Sequence, residues 1–438
     1  MRKAMLTILM IATLAATTCR AVGEPKSGRA PGEAVASEKD RLSSPDVPGS
    51  DLDKLVEGNS AFAFDLYRFL AEQGGDENLF YSPYSISLAL AMTYAGARGE
   101  TGGQMAEALQ FNLPQDQLHP AFNALDQELA QRGEGAAGKD DPDEEHPKGF
   151  RLKIANAIWG QTEYEFLGAF LDVLAENYGA GLRVLDFASS AEEARVTINQ
   201  WVSDRTEGKI ENLLPKGSIG SATRLVLTNA IYFNAAWANP FEEQATEPGP
   251  FTRLDGSEVT VPMMRQAESF GYAEGDGYQA VELPYDGHEL SMVILLPERG
   301  TFEAFEDSLG AGLVQAVIEN LARGQVDLTM PKFEFDSGLS LNDALSALGM
   351  PKAFTGEADF SAMTGDKSLF ISAVLHKAFV SVDEQGTEAA AATAVAMVAS
   401  AAPGDSVEVV VDDPFIFLIR DIETGAVLFV GRVLDPSA

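Results

Sequence analysis

Cysteine and histidine are both rare in this sequence of 438 residues, which contains one cysteine and four histidines. A single cysteine excludes an intramolecular disulfide, and its place in the N-terminal leader leaves no thiol for a cysteine nucleophile. The sequence also contains no nucleophile-elbow G-x-S-x-G, no H-E-x-x-H zinc pair, no P-loop and no strand-led dinucleotide motif. A Ser–His–Asp hydrolase stays open, since such residues meet in space and not in sequence.

Basic residues are also few, with 31 Lys and Arg against 66 Asp and Glu, a net charge of −35 and a pI near 4.3. Such a field repels nucleic acid and anionic lipid surfaces, and it favours solubility and cationic partners. No basic patch with interleaved aromatic residues occurs, so no nucleic-acid partner is expected. The acidic run over 131–148 does not follow a calcium-loop pattern, and we therefore expect no metal and no other cofactor.

Apolar runs of transmembrane length are absent from the sequence, and at the N-terminus Arg2 and Lys3 precede a shorter apolar run from Ala4 to Ala16. This pattern is typical of a signal peptide, which we predict over 1–19, and the run is too short for an ordinary membrane span. We therefore expect an exported protein that is extracellular, periplasmic or lipid-anchored at the cell envelope.

Cys19 stands at the end of that apolar run. Its placement resembles a bacterial lipoprotein processing site, where the thiol is acylated, although Thr18 occupies the position where that motif usually has Gly, Ala or Ser. The alternative is an incidental cysteine in an ordinary signal peptide. Residues 20–50 are rich in Gly, Pro, Ser and charge, which predicts a disordered linker.

Hydrophobic periodicity predicts helices first and then hairpins with scattered helices, which is an α+β pattern. Two Asp-Gly turns, at 255–256 and 286–287, lie between alternating runs. Helices are predicted at 52–71, 82–95, 166–178, 191–214, 302–323 and 341–348, and strands at 150–161, 225–237, 326–335 and 370–386.

One stretch, DEQGTEAAAATAVAMVASAA over 383–402, suits two conformations. Its alanine run favours a helix by intrinsic propensity, and an Ala-rich helix or linker is the simpler interpretation. In a β-strand, where alternate residues share a face, one face of this stretch would be entirely small or apolar, and Glu388 would fall on the other face. That face comprises Thr387, Ala389, Ala391, Thr393, Val395 and Met397. A segment that fits both an exposed loop and a buried strand is a candidate switch.

Five blocks, in the right order, resemble the serpins, and more narrowly a bacterial serpin of the inhibitory type. They are NLFYSPYSISLALAMTYAGARGETGGQM (78–105), INQWVSDRTEGKIENLL (198–214), LVLTNAIYFNAAW (225–237), DEQGTEAAAATA (383–394) and DDPFIFLIRDIETGAVLFVGRV (412–433). The resemblance covers 51–436 as one domain. It implies a serpin fold with three β-sheets, eight or nine helices and an exposed reactive-centre loop at about 384–413.

The resemblance also implies a mechanism, in which the chain is not an enzyme but a suicide substrate of serine endopeptidases. Cleavage of the loop gives an acyl-enzyme, and the cleaved loop inserts as a new strand before the ester is hydrolysed. Family spacing places the scissile bond at Ser400–Ala401, with neighbouring bonds over 398–402 still open. Small residues there suit an elastase-like or subtilisin-like protease. A cysteine-protease target and a non-inhibitory carrier or binding role are the alternatives, and a monomer is expected.

Particular residues take roles by the same resemblance. The hinge, which must be small to insert, is Glu384, Gly386, Thr387, Glu388, Ala389, Ala390, Ala391 and Ala392. The shutter beneath the large sheet is Ser82, Ser85, Asn229 and His376, and Trp237 marks the breach where the loop enters. Asp413 departs from the family pattern, which usually has a basic or neutral polar residue before Pro414, and it is expected to alter loop anchoring.

Overall fold

The computed structural model describes residues 32–132, 151–387 and 406–438. These residues contain ten α-helices and two 3₁₀ helices, at Glu243–Ala245 and Pro351–Phe354. The α-helices are α1 Gly49–Gly74, α2 Pro83–Tyr94, α3 Gly99–Ala108, α4 Gln115–Ala130, α5 Gly168–Tyr178, α6 Phe187–Arg205, α7 Phe302–Ser308, α8 Ala311–Asn320, α9 Asn342–Ala347 and α10 Ser361–Thr364. The count exceeds the expected eight or nine because α9 and α10 have only six and four residues.

The strands form two hydrogen-bonded networks. They are β1 Ala34–Val35, β2 Leu79–Tyr81, β3 Arg151–Gln161, β4 Leu182–Leu185, β5 Leu225–Ala236, β6 Glu247–Thr252, β7 Glu258–Gly275, β8 Tyr278–Pro284, β9 Leu290–Pro297, β10 Ala322–Pro331, β11 Phe333–Ser340, β12 Ile371–Val382, β13 Gly386–Thr387, β14 Val407–Val410, β15 Phe415–Asp421 and β16 Val427–Val433.

The first network, which we call the large sheet, has seven strands in the order β1-β4-β3-β5-β13-β12-β11. Its two central strands, β5 and β12, are parallel, and each is antiparallel to its outer neighbour. The two-residue strand β13 lies between them at one end only. The large sheet is therefore already divided at one end of its centre.

The second network has nine strands, with β7 at the point where two groups of strands join. One part of β7 pairs with β6 and β10, and its last five residues pair with β8. Because β7 is 18 residues long, it connects two sheets that the resemblance implied would be separate.

Helix α2 is central, as its apolar sequence predicted, since all twelve of its residues are buried. Pro83 occupies the first turn and the Ser82 hydroxyl accepts a hydrogen bond from the Ser85 amide at 3.1 Å, which caps the helix. The helix packs between the large sheet and β16. Its first turn therefore lies against the place where β5 and β12 meet.

The N-terminal segment over 32–48 packs on the domain, so the prediction of a disordered linker is wrong for these residues. Strand β1 pairs with β4 at the edge of the large sheet. Further along, Arg41 donates to Asn123 Oδ1 at 2.7 Å and pairs with Asp126 at 2.6 Å. Backbone pairing and ion pairs order the segment even though it has few large apolar residues. Residues 20–31 lie outside the described part.

Two predicted helices differ from the structure for local reasons. The helix predicted over 302–323 is two helices, because Gly310 adopts an extended conformation between them. The helix predicted over 191–214 ends at Arg205, shortly before Gly208 with its positive φ of 78°. Among the described residues, no helix is both long enough and apolar enough to cross a membrane.

Candidate functional site

The contact between β5 and β12, which we call the seam, is closed along most of its length and open at one end. Its parallel pairing continues to Phe379, opposite Tyr232. Beyond this pair β13 separates the strands and runs antiparallel to both, with Thr387 opposite Ala235 on one side and Val382 on the other. The first two residues of an inserted strand are thus in place.

A tight turn over 383–385 joins β12 to β13. The Asp383 carboxylate accepts hydrogen bonds from the amides of Gln385 at 2.8 Å and Gly386 at 3.2 Å, while the Asp383 amide donates to the Gly386 carbonyl at 2.9 Å. An aspartate commonly stabilises a turn in this way. The strand predicted over 370–386 therefore ends at Val382, where the chain reverses.

Gly386 is required by a close backbone contact. A Cβ at this position would lie 2.1 Å from the Ala235 carbonyl oxygen and 2.7 Å from Ala236 Cα. Any side chain would push β13 away from β5. Gly386, which the family resemblance assigns to the hinge, therefore also has a specific steric reason to be glycine.

Thr387 is completely buried, and its hydroxyl lies 2.8 Å from the hydroxyl of Tyr285. The Tyr285 ring stacks on Trp237, with ring centres 4.7 Å apart and planes 9° from parallel. The Trp237 indole donates to the Asp383 carbonyl at 3.0 Å, and its amide donates to the Gln385 carbonyl at 2.8 Å. Trp237 therefore lies where the chain enters the seam.

Glu384 fastens the turn to the sheet. It is 6% exposed, its carboxylate lies 2.6 Å from Lys332 Nζ, and it accepts a hydrogen bond from Thr246 at 2.7 Å. Burial alone would raise the pKa of Glu384, but the bonds from Lys332 and Thr246 outweigh burial and leave the pKa below its usual value. The carboxylate is therefore held in its charged form.

The structure brings all four predicted shutter residues together under the seam. Asn229 on β5 and His376 on β12 are opposite each other in the register, and His376 Nδ1 bonds to Asn229 Oδ1. The Asn229 amide nitrogen donates to Ser85 Oγ at 2.6 Å, and the Ser82 amide donates to His376 Nε2 at 3.3 Å. These bonds join the two strands to the start of α2. The His376–Asn229 bond crosses the seam itself.

The partners of His376 define its protonation. Because Nε2 accepts from the Ser82 amide, the ring proton must be on Nδ1, where it is donated to Asn229. The side chain is 0% exposed, and burial lowers the pKa of His376 to about 3. A second proton would place an N–H against the Ser82 N–H. The shutter network therefore requires neutral histidine.

Asn156 on β3 is a fifth member of this network that the sequence reasoning missed. Its Oδ1 accepts from the Asn229 amide nitrogen and from Ser85 Oγ, and its Nδ2 donates to the Ser85 carbonyl at 3.1 Å. It is also directly opposite Asn229 in the sheet register. An asparagine in mid-strand was the available signal, as it was for Asn229.

The other end of the loop is anchored through β14, which pairs in parallel with β10. Next to it, Arg299 lies 2.8 Å from both the Asp412 and the Asp413 carboxylates. Burial, together with the charge of Asp412, raises the pKa of Asp413 to about 6, although Arg299 opposes this shift. The acidic residue that departs from the family pattern is therefore held by an arginine.

The remaining predicted site residues lie outside the described part of the chain. They are Glu388, Ala389, Ala390, Ala391, Ala392, Ser400, Ala401 and Cys19. The predicted bounds of the exposed loop, 384–413, are too wide, since Glu384 to Thr387 are largely buried and 407–410 form β14. In the described ranges, no cluster of three or more His, Cys, Asp or Glu side chains could hold a metal ion.

Comparisons with known proteins agree with this geometry. The family model described as serpin (serine protease inhibitor) matches residues 57–436. Human leukocyte elastase inhibitor is 38% identical over 400 residues, which cover 88% of this chain and 100% of that protein. The native structure of tengpin, a thermophilic serpin, superposes with a TM-score of 0.79 at 29% identity and covers 93% of this chain and 100% of its own. Human thyroxine-binding globulin matches with a TM-score of 0.78 at 31% identity, over 88% of this chain and 99% of its own. The chain therefore belongs to the serpin family and has the serpin fold.

Proposed function

We propose that this chain inhibits serine endopeptidases as a suicide substrate. The serine of the protease attacks the carbonyl of the scissile residue, Ser400, and the amine of Ala401 leaves. The ester that remains is trapped when the cleaved loop inserts into the seam and carries the protease away before water can attack. The protease supplies every catalytic residue, and we expect no enzymatic activity from the chain itself.

One observation carries this proposal: β13 already lies antiparallel between two parallel strands at the open end of the seam. Each further residue that enters replaces part of one parallel ladder with two antiparallel ladders. Insertion therefore gains backbone hydrogen bonds. Insertion of further residues requires no new turn, because the turn over 383–385 that leads into the seam is already formed.

The residues that follow Thr387 are suited to the space they would enter. Thr387 is completely buried, and residues two, four and six positions later share its face of a strand. These are Ala389, Ala391 and Thr393, which are small and uncharged. A charge on this face would have to be buried without a partner, which is costly. This composition favours inhibition over the carrier role.

The loop is also long enough to displace a protease. Ser400 lies thirteen positions after Thr387, and at about 3.3 Å per position this distance is roughly 43 Å once the chain is extended. Strand β5, beside which the loop would insert, has 12 residues and spans roughly 40 Å at the same rise.

The target is proposed from the residues around the scissile bond. Val398 to Ala402 are all small or aliphatic, and none is the Arg or Lys that a trypsin-like enzyme binds. An elastase-like or subtilisin-like protease with a shallow primary pocket fits them. The 38% identity to leukocyte elastase inhibitor supports the same choice.

The test is to incubate the chain with an elastase and a subtilisin, then run denaturing gels and mass spectrometry. A covalent complex, with a C-terminal peptide that begins at Ala401, is the expected result. Cleavage with no complex for either enzyme would contradict the proposal and favour the carrier role. A papain-like protease in the same series tests the cysteine-protease alternative.

Thr387→Arg and Thr387→Ser form the matched control pair. Both leave the scissile residues unchanged, but arginine places a charge at a fully buried position of the seam. We expect Thr387→Arg to be cleaved without trapping the protease and Thr387→Ser to retain the complex. If both variants trap equally well, insertion is not what holds the protease.

We further propose that the chain is exported and acylated at Cys19. The supporting observation is the leader pattern over 1–19 followed by a cysteine. Metabolic labelling with a radioactive fatty acid, compared between the native chain and Cys19→Ala, tests this directly. Label in the native chain alone is expected.

A further inference from the structure

Tyr285 comes from a different part of the fold than the hinge residue Thr387 that it contacts. It follows β8 of the second network and bridges to Trp237 at the end of β5. Its side chain is 1% exposed. Its ring stacks on Trp237 and makes an edge-to-face contact with Phe233, with ring centres 5.2 Å apart. The position of its hydroxyl is therefore fixed by packing.

That hydroxyl meets the hydroxyl of Thr387 at 2.8 Å, with both residues buried. Thr387 is the last residue of β13 and the point from which a strand would extend. In the described part of the chain, Gly386 and Thr387 pair with β5, and Thr387 also lies opposite Val382 of β12. The Tyr285–Thr387 bond adds a side-chain contact at Thr387, just as the Asp383 carboxylate adds one at the Gly386 amide.

We propose that Tyr285 is a positioning residue for loop insertion, whose hydroxyl holds Thr387 in register so that the strand extends from a preformed start. This inference deepens the proposed function and rests on it. The first turn of a helix is unfavourable because several dihedral angles are fixed for one hydrogen bond, and the first pair of an entering strand has a similar cost. When Thr387 is held in register, the first pair of the entering strand is already formed before cleavage.

The consequence concerns the competition between insertion and hydrolysis of the acyl-enzyme. If insertion starts more slowly, more of the ester is hydrolysed, and the inhibitor leaves as a cleaved product. A buried hydrogen bond of ordinary strength changes such a rate by about three- to tenfold. We expect the ratio of cleaved to complexed inhibitor to rise by about that factor when the bond is removed.

Tyr285→Phe removes the hydroxyl and keeps the stacking on Trp237. The matched control is Tyr178→Phe, because the Tyr178 hydroxyl also makes one side-chain bond, to His119 Nδ1 at 2.7 Å, far from the seam on α5. Thr387→Val removes the same bond from the other side. The readout is the ratio of cleaved to covalently complexed inhibitor at a fixed protease concentration.

We expect Tyr285→Phe and Thr387→Val to raise this ratio alike, the double variant to add little, and Tyr178→Phe to match the native chain. Equal ratios for Tyr285→Phe and Tyr178→Phe, or singles that simply add in the double variant, would overturn the inference.

Hydrogen exchange on the uncleaved chain separates this inference from the proposed function. We expect faster exchange at the amides of 386 and 387 in Tyr285→Phe and unchanged exchange there in Tyr178→Phe. Faster exchange in a chain that traps no protease would leave Tyr285 holding the hinge and reject the inhibitory function. Unchanged exchange in a chain that does trap protease would reject the role of Tyr285 alone.

Discussion

His376 makes the closed seam dependent on pH. Its pKa is lowered to about 3 by burial, against about 6.5 in the unfolded chain, so the unfolded state binds the proton first as pH falls. The contribution of neutral His376 to stability is complete above pH 6.5 and is lost between pH 6.5 and 3. We expect His376 to contribute about 1.4 kcal/mol per pH unit in this window to the loss of stability measured by denaturant unfolding.

His376→Gln is the comparison for this prediction, since an amide can donate to Asn229 and accept from Ser82 without titrating. His119 contributes in the same direction, because burial lowers its pKa to about 4. A His119→Gln variant therefore measures the contribution of His119 to the pH dependence of the free energy of unfolding. If His376→Gln keeps the full pH dependence of the native chain, the shutter histidine is not its source.

A polar side chain that interrupts an apolar pattern indicates a buried group that needs partners, while the role of such a group came from the family resemblance. Asn229 and His376 stand out in this way, and they do meet at the seam. Tyr285 could not be found, because it reads as part of an ordinary hairpin turn beside Asp286-Gly287. Its importance depends on contact between two sheets, which no local pattern encodes. The turn at Asp383 was missed because the predicted strand was continued from the apolar residues of β12 through the polar residues 383–385.

Among the elements, the N-terminal segment should contribute measurably to stability. Asn123 is fully buried, and Arg41 donates to it while also pairing with Asp126. Arg41→Ala leaves both acceptors without this cation, and we expect a loss of about 1–3 kcal/mol in the free energy of unfolding. Lys39→Ala is the control, because its ion pairs with α5 are more exposed and should contribute less.

A similar result for both variants would mean that the segment is held mainly by β1 and not by Arg41. Composition predicted this segment as a linker because it counts apolar residues and not partners. Hydrophobic periodicity likewise predicted one helix over 302–323, because it does not detect that Gly310 is extended and divides the segment into two helices. The long buried elements α2 and β5 were predicted to within two residues, because packing and periodicity agree there.

The register of β13 predicts which loop residue would reach the shutter. Ala235 is six residues from Asn229, and Val382 is six residues from His376, so both strands place the residue six after Thr387 in the shutter row. That residue is Thr393. On the proposed mechanism, an inserted strand would separate His376 from Asn229, and the Thr393 hydroxyl would supply a new partner for them.

Thr393→Val should therefore lower the thermal unfolding midpoint of the cleaved, inserted chain while leaving the intact chain unchanged. Thr393→Ser retains the hydroxyl and should behave like the native sequence in both forms. Differential scanning calorimetry of each variant before and after loop cleavage measures this. An equal effect of Thr393→Val on both forms would contradict the register.

At the scale of the whole molecule, cleavage of the loop should increase stability, which is unusual for a cut chain. About ten further residues can enter between β5 and β12, and at roughly 1 kcal/mol for each new pair of backbone bonds they add on the order of 10 kcal/mol. Unfolding entropy of about 2 cal/mol/K per residue converts this to a rise of roughly 10 °C or more in Tm.

A metalloprotease that cuts the loop without forming an ester allows the measurement with no protease attached. Thr387→Arg, cut at the same bond, should show no rise, because its charge cannot enter the buried start of the seam. A native chain whose Tm is unchanged after the cut would show that the seam stays closed, and trapping by insertion would then fail for this protein.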